Sequence, residues 1–111
     1  MTLADFIYQK IGECVGRKKA IKMWKLLKYL HKQGAIEKIT QNEDRKVRSI
    51  IDENPLICST TDGYYLAKTQ GDFNCAVASI VTRIRAFNDK IKRKEAAYPQ
   101  FTRPGQMELF Q

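Results

Sequence analysis

The sequence has little with which to hold a metal or a disulfide framework. Its one histidine, His31, stands alone, and its three cysteines, Cys14, Cys58 and Cys75, are far apart with no Cys-x-x-Cys pair. Neither a zinc site nor a paired scaffold is expected from an odd, scattered set. Each cysteine sits in an apolar or mixed segment, the setting of a small buried hydrophobe rather than of a reactive thiol. Long apolar runs are absent too: no stretch approaches the roughly 20 residues that span a bilayer. Met1-Thr2-Leu3-Ala4-Asp5 also lacks the basic start and apolar run of a secretion signal. A cytoplasmic chain with no membrane partner is expected. Close acidic pairs are limited to Glu43-Asp44 and Asp52-Glu53, at the two ends of one expected helix, where capping and solvation explain them better than two-metal chemistry. No cofactor motif occurs, and no catalytic role is expected.

A length of 111 residues with 43% hydrophobic side chains fits one domain with a modest core plus extensions. The net charge of +8 is concentrated. Residues 16 to 50 hold eleven basic side chains (Arg17, Lys18, Lys19, Lys22, Lys25, Lys28, Lys32, Lys38, Arg45, Lys46, Arg48) against Glu37, Glu43 and Asp44, so this segment alone carries eleven minus three, or +8. Such an excess suits a polyanion binder, since each neutralised phosphate releases counterions. On charge alone, a solvated basic helix face explains it equally well.

Apolar spacing gives the elements. Leu3, Phe6, Ile7 and Ile11 predict a first helix over 3–14, interrupted by Gly12 and Gly16. Ala20 and Ile21, then Met23, Trp24, Leu26, Leu27 and Leu30 among lysines, predict a second amphipathic helix ending at Gly34. Thr40-Gln41-Asn42-Glu43 has the form of a capping box and opens a third helix over 41–53, with Val47, Ile50 and Ile51 inward and Pro55 beyond its end. Leu56-Ile57-Cys58-Ser59 and Tyr64-Tyr65-Leu66-Ala67 flank Thr60-Thr61-Asp62-Gly63, and Asp-Gly marks a hairpin turn. A lone hairpin is marginal in water, so it should pack on the helices, with a third short strand over Lys19–Lys22 as one way to extend it.

A second box, Thr69-Gln70-Gly71-Asp72, opens a last helix to residue 96. It carries Phe73, Val77, Ile80, Ile84, Phe87 and Ile91 at alternating spacings of 4 and 3. β-Branched residues at Val77, Ile84 and Ile91 favour two parallel strands, with Lys90 facing Glu95 of a partner helix. A homodimer and packing on the chain's own domain both satisfy a stripe of under three heptads. After Ala97, two prolines and a glycine without periodicity predict a flexible linker.

Three helices and a hairpin in this order are those of a winged helix-turn-helix, whose third helix lies in the major groove. The expected class is therefore α+β, mainly α: a winged-helix domain (1–68), a long C-terminal helix (69–96) and a flexible tail (97–111). With Val47, Ile50 and Ile51 inward, helical period turns Asn42, Arg45, Lys46 and Ser49 outward, with Arg48 on the flank. Arg45 or Arg48 can fork onto a guanine edge, Asn42 can bond an adenine, and Lys46 suits a phosphate. Thr60, Thr61 and Lys68 are expected near the sugar-phosphate backbone, and Lys18, Lys19 and Lys22 are further phosphate candidates. Tyr64 or Tyr65 is expected to hold the hairpin on the core.

From Lys46-Val47-Arg48 through Leu56-Ile57-Cys58-Ser59, Asp62-Gly63-Tyr64-Tyr65-Leu66-Ala67 and on to Arg83-Ile84-Arg85, the chain resembles small phage and prophage winged-helix proteins found among replication genes. The resemblance covers about residues 18 to 95 and implies a DNA-binding architecture without a catalytic site. The segment Gly34 to Thr40 is longer than a tight helix-turn-helix turn. The tail Gln106-Met107-Glu108-Leu109-Phe110 is similar to the pentapeptide Gln-Leu-Ser/Asp-Leu-Phe with which bacterial polymerases and repair proteins bind the sliding clamp. That similarity implies Gln106 as polar anchor, with Met107, Leu109 and Phe110 filling an apolar pocket.

Burying those three side chains contributes roughly 1.5 to 3 kcal/mol each, and ordering a tail costs about 2 to 5 kcal/mol. One tail should therefore bind weakly, and useful occupancy needs a second contact, from DNA or from a dimer. Two functions fit. One is a replication accessory that binds duplex DNA and the clamp. The other is a phage protein-interaction module that occupies the clamp pocket to inhibit or redirect the host replisome.

Overall fold

A computed structural model of the chain describes residues 1–101. The element order is α1 (Leu3–Gly12), a 3₁₀ turn (Arg17–Lys19), α2 (Met23–Lys32), α3 (Gln41–Asp52), β1 (Ile57–Thr60), β2 (Gly63–Leu66) and α4 (Gln70–Ala97). The molecule is thus mainly helical, with a small antiparallel sheet and a long C-terminal helix. Two compact units follow along the chain, Met1–Ser79 and a second beginning at Ile80.

α1 starts on a reciprocal cap: Asp5 N–H donates to Thr2 Oγ1 at 3.1 Å and Thr2 N–H donates to Asp5 Oδ2 at 2.9 Å. α2 ends on a left-handed glycine, Gly34, with φ of 76°. Its Gly34 N–H donates to His31 O at 3.1 Å and Ala35 N–H donates to Leu30 O at 2.9 Å, which is the Schellman pattern. α3 begins at Thr40, whose hydroxyl accepts from Glu43 N–H at 3.3 Å. Glu43 itself lies 3.6 Å from Lys46 Nζ.

The core of the first unit is built where these helices turn their apolar faces together: Ile7 and Ile11 from α1, Leu26, Leu27 and Leu30 from α2, Val47 and Ile51 from α3. Each such side chain contributes roughly 1.5 to 3 kcal/mol by leaving water. Ile50 is half-buried against the same cluster, and Ile36 joins it from the α2–α3 connection. The Tyr8 hydroxyl donates to Ile50 O at 3.0 Å and ties α1 to the end of α3.

The hairpin pairs Ile57 with Leu66, Cys58 with Tyr65, Ser59 with Tyr64 and Thr60 with Gly63, leaving a two-residue turn at Thr61-Asp62. Tyr64 and Tyr65 are both buried, as expected of the residues that hold it on the core. The third strand expected over Lys19–Lys22 contracts to one residue: Ile21 bridges Tyr64 antiparallel, while Arg17–Lys19 winds as the 3₁₀ turn. α2 accordingly begins at Met23 rather than at Ala20, because Ala20 to Lys22 are drawn out beside the sheet. A second bridge, Val15 with Leu66, closes the other end of β2.

The cap expected at the head of α4 is present in both directions: Asp72 N–H donates to Thr69 Oγ1 at 3.1 Å and Thr69 N–H to Asp72 Oδ2 at 3.2 Å. Residues 98–101, in the segment read as a linker, turn on the end of α4. Tyr98 N–H donates to Lys94 O at 3.0 Å, Phe101 N–H to Tyr98 O at 3.1 Å, and the two rings sit 6.0 Å apart.

Candidate nucleic-acid interface

α3 turns Val47 and Ile51 into the core, so the opposite side of the helix is exposed along Asn42, Arg45, Lys46 and Ser49. Among the described residues, no side-chain hydrogen bond holds Arg45 in the way that one holds Arg48. The Arg48 guanidinium donates from Nε to Asp44 Oδ1 and from an Nη to the Tyr64 hydroxyl at 3.2 Å. Asp44 beside it raises the already high Arg48 pKa further. Arg48 therefore joins α3 to the hairpin, while Arg45 stays exposed on the outer face of α3.

A second group gathers round the hairpin turn. Arg17 Nε lies 3.7 Å from Asp62 Oδ2, which brings the 3₁₀ turn with Lys18 and Lys19 beside Thr61-Asp62. Arg17, Lys18, Ala20 and Asp62 line an open depression of about 300 Å³. Lys22 adjoins the hairpin through its backbone, since a Cβ on Gly63 would stand 2.9 Å from Lys22 N. Thr60, Thr61, Lys18 and Lys22 thus share one neighbourhood, while Asn42, Arg45, Lys46 and Ser49 form another. Arg48 and Tyr64 are the link between them.

Lys68 belongs to a third place. Its backbone N–H donates to Asp72 Oδ2 at 3.1 Å, and its Cβ faces Gly16. The Asp72 carboxylate also accepts from Thr69 N–H and, at 3.4 Å, from Arg17 N–H, 55 residues away in sequence. These bonds, the one from Lys68 first, hold Asp72 below the ordinary carboxylate value. Arg17 Nη1 also approaches Cys75 Sγ at 2.8 Å. The Arg17 contacts carry no short-range sequence signal. The Thr2-x-x-Asp5 cap was visible as a pattern and escaped the sequence reading.

Of the cysteines, only Cys14 is buried, and burial raises its thiol pKa; Cys58 and Cys75 are half-buried, and all three are free. Among the described residues, no group of three or more His, Cys, Asp or Glu side chains could hold a metal ion, and no helix is long and apolar enough to cross a membrane. The apolar stripe of α4 is exposed: Phe73, Val77, Ile80, Ile84 and Phe87 show 41 to 60% of their surface, and Ile91 is half-buried. The expected clamp-binding residues Gln106, Met107, Leu109 and Phe110 lie outside the described residues. Comparison of the chain with known protein families, with curated proteins and with solved structures finds no match.

Proposed function

We propose that this chain is a DNA-binding replication accessory protein, in which a winged helix grips duplex DNA and the peptide Gln106–Phe110 binds a bacterial sliding clamp. The observation that carries the DNA half is the pairing of Ile21 with Tyr64. In this reading that one-residue bridge stands where a winged helix has a short strand between its first two helices, ahead of the helix pair and hairpin that follow. In this reading α3 enters the major groove, with Arg45 and Asn42 reading base edges and Lys46 and Ser49 on the backbone. Lys18, Lys19, Lys22, Thr60 and Thr61 meet phosphates beside the wing, Lys68 lies at its far end, and Arg48 positions α3. No catalytic step is assigned to any residue.

Self-association through α4 belongs to the same proposal. Two copies of the exposed stripe would bury on the order of 1,000 Å² together, about the lower bound for a specific interface. A dimer would supply the second contact that one weak clamp peptide requires.

The test of the DNA half is a duplex-binding titration at several salt concentrations. We expect log affinity to fall steeply with log salt, and the Arg45→Ala/Lys46→Ala double variant to bind at least about tenfold more weakly with a slope shallower by about 1, from the lost Lys46 phosphate contact. Unchanged affinity of that variant at low salt would remove the recognition-helix assignment.

A further inference from the structure

Trp24, the only tryptophan of the chain, is 56% exposed in the first turn of α2. A large aromatic ring left in water is an unusual use of the side chain that buries most apolar area. The charged residues near it in sequence are all cationic. Between Glu13 and Glu37 there is no acidic residue, and the segment holds Arg17, Lys18, Lys19, Lys22, Lys25, Lys28 and Lys32. Lys25 Nζ stands 5.4 Å and Lys28 Nζ 5.7 Å from the indole centroid. Lys32 follows one turn after Lys28 and is exposed with it.

We propose that the outer face of α2 binds single-stranded nucleic acid, with Trp24 as the ring on which an unpaired base stacks and Lys25, Lys28 and Lys32 as phosphate contacts. The pairing of an aromatic platform with a cationic track is what single strands require, since every base offers a π-face and every nucleotide one negative charge. Duplex DNA offers such a ring a base only at the cost of unstacking a step, because its bases already cover one another. A membrane surface fits poorly, because the apolar side of α2, Leu26, Leu27 and Leu30, is buried in the core and leaves one ring outside. The site is separate from Arg45 and Lys46 on α3 and does not depend on the duplex reading.

The single tryptophan makes the test direct. The full chain is titrated at low salt with oligo-dU and oligo-rU of about 16 nucleotides while the indole emission is followed. Quenching by either strand supports the site, and the stronger strand names the sugar. Labelled-oligonucleotide anisotropy should then show Trp24→Ala binding about tenfold or more weakly, with Trp24→Phe in between. Lys28→Gln should lower the salt slope by about 0.7. Arg45→Ala/Lys46→Ala should leave the quenching intact, and Trp24→Ala should leave duplex binding and the melting temperature intact, so the two sites fail separately. Absence of quenching at oligonucleotide concentrations on the order of 100 μM, equal affinity of Trp24→Ala, or an emission change with anionic phospholipid vesicles alone would each overturn the proposal.

Discussion

Ile21 and Tyr64 exchange both backbone hydrogen bonds, Ile21 N–H to Tyr64 O and Tyr64 N–H to Ile21 O, each at 2.9 Å. Forty-three positions of sequence separate the partners, and the pair fastens the α1–α2 connection to the hairpin. The bridge brings the backbone of Ile21 so close to Gly63 that a Cβ there would stand 2.4 Å from Ile21 O, and Gly63 has φ of 123°.

Gly63→Ala is therefore expected to destabilise the first unit by about 2 kcal/mol or more, since it adds both a backbone clash and left-handed strain. Gly12→Ala is the control: a Cβ there meets nothing within 4 Å, and removing a helical glycine should stabilise by about 0.5 to 1 kcal/mol. Urea unfolding of both variants checks the pair. Equal effects would mean that Gly63 is not under that constraint.

Asp72 gives a pH dependence of known sign. Its folded pKa is lowered from the ordinary value of 3.8, chiefly by the Lys68 N–H bond. The stability it contributes is present above that value and is lost as pH falls through the folded pKa. Asp72→Asn should melt below the wild type at neutral pH, and the gap should close in acid. A gap independent of pH would contradict the assignment.

If α4 pairs with a second copy, Ile84→Lys places two charges into the interface and removes two apolar side chains worth roughly 1.5 to 3 kcal/mol each. We expect the dimer to weaken by at least about 100-fold, measured by sedimentation equilibrium. A wild type that stays monomeric at high micromolar concentration would assign the stripe another role.

Removing residues 106 to 111 should abolish clamp binding and leave duplex affinity and melting temperature unchanged. Phe110→Ala should act almost as strongly, because an aromatic anchor tends to dominate a small interface, whereas Glu108→Ser should matter little. Calorimetry of a peptide spanning Thr102 to Gln111 against purified clamp reads this directly; absence of heat or competition at high micromolar peptide would end the clamp half of the proposal.

Much of the molecule was legible because its signals are local. The caps at Thr40 and Thr69, the left-handed Gly34 after α2 and the turn between Ser59 and Tyr64 each act over two to five residues, so the residues that encode them also stand in contact. The outward set on α3 follows from a period set by backbone geometry alone once Val47 and Ile51 are assigned inward. By itself, then, the sequence determined the helices, the hairpin and the side of α3 that meets solvent.

Tertiary structure decided the rest. Only when the core closed did the third strand offered over Lys19–Lys22 reduce to the single bridge of Ile21 to Tyr64, because buried strand groups must find partners wherever the fold supplies them. Arg48, on the flank of α3 by period and one turn from Asp44, was drawn across to Tyr64, and Arg17 to Asp62, Asp72 and Cys75. Those partners lie up to 58 residues apart, and a contact at that separation exists only after loop closure has been offset by burial of the core, which no window of neighbouring residues encodes.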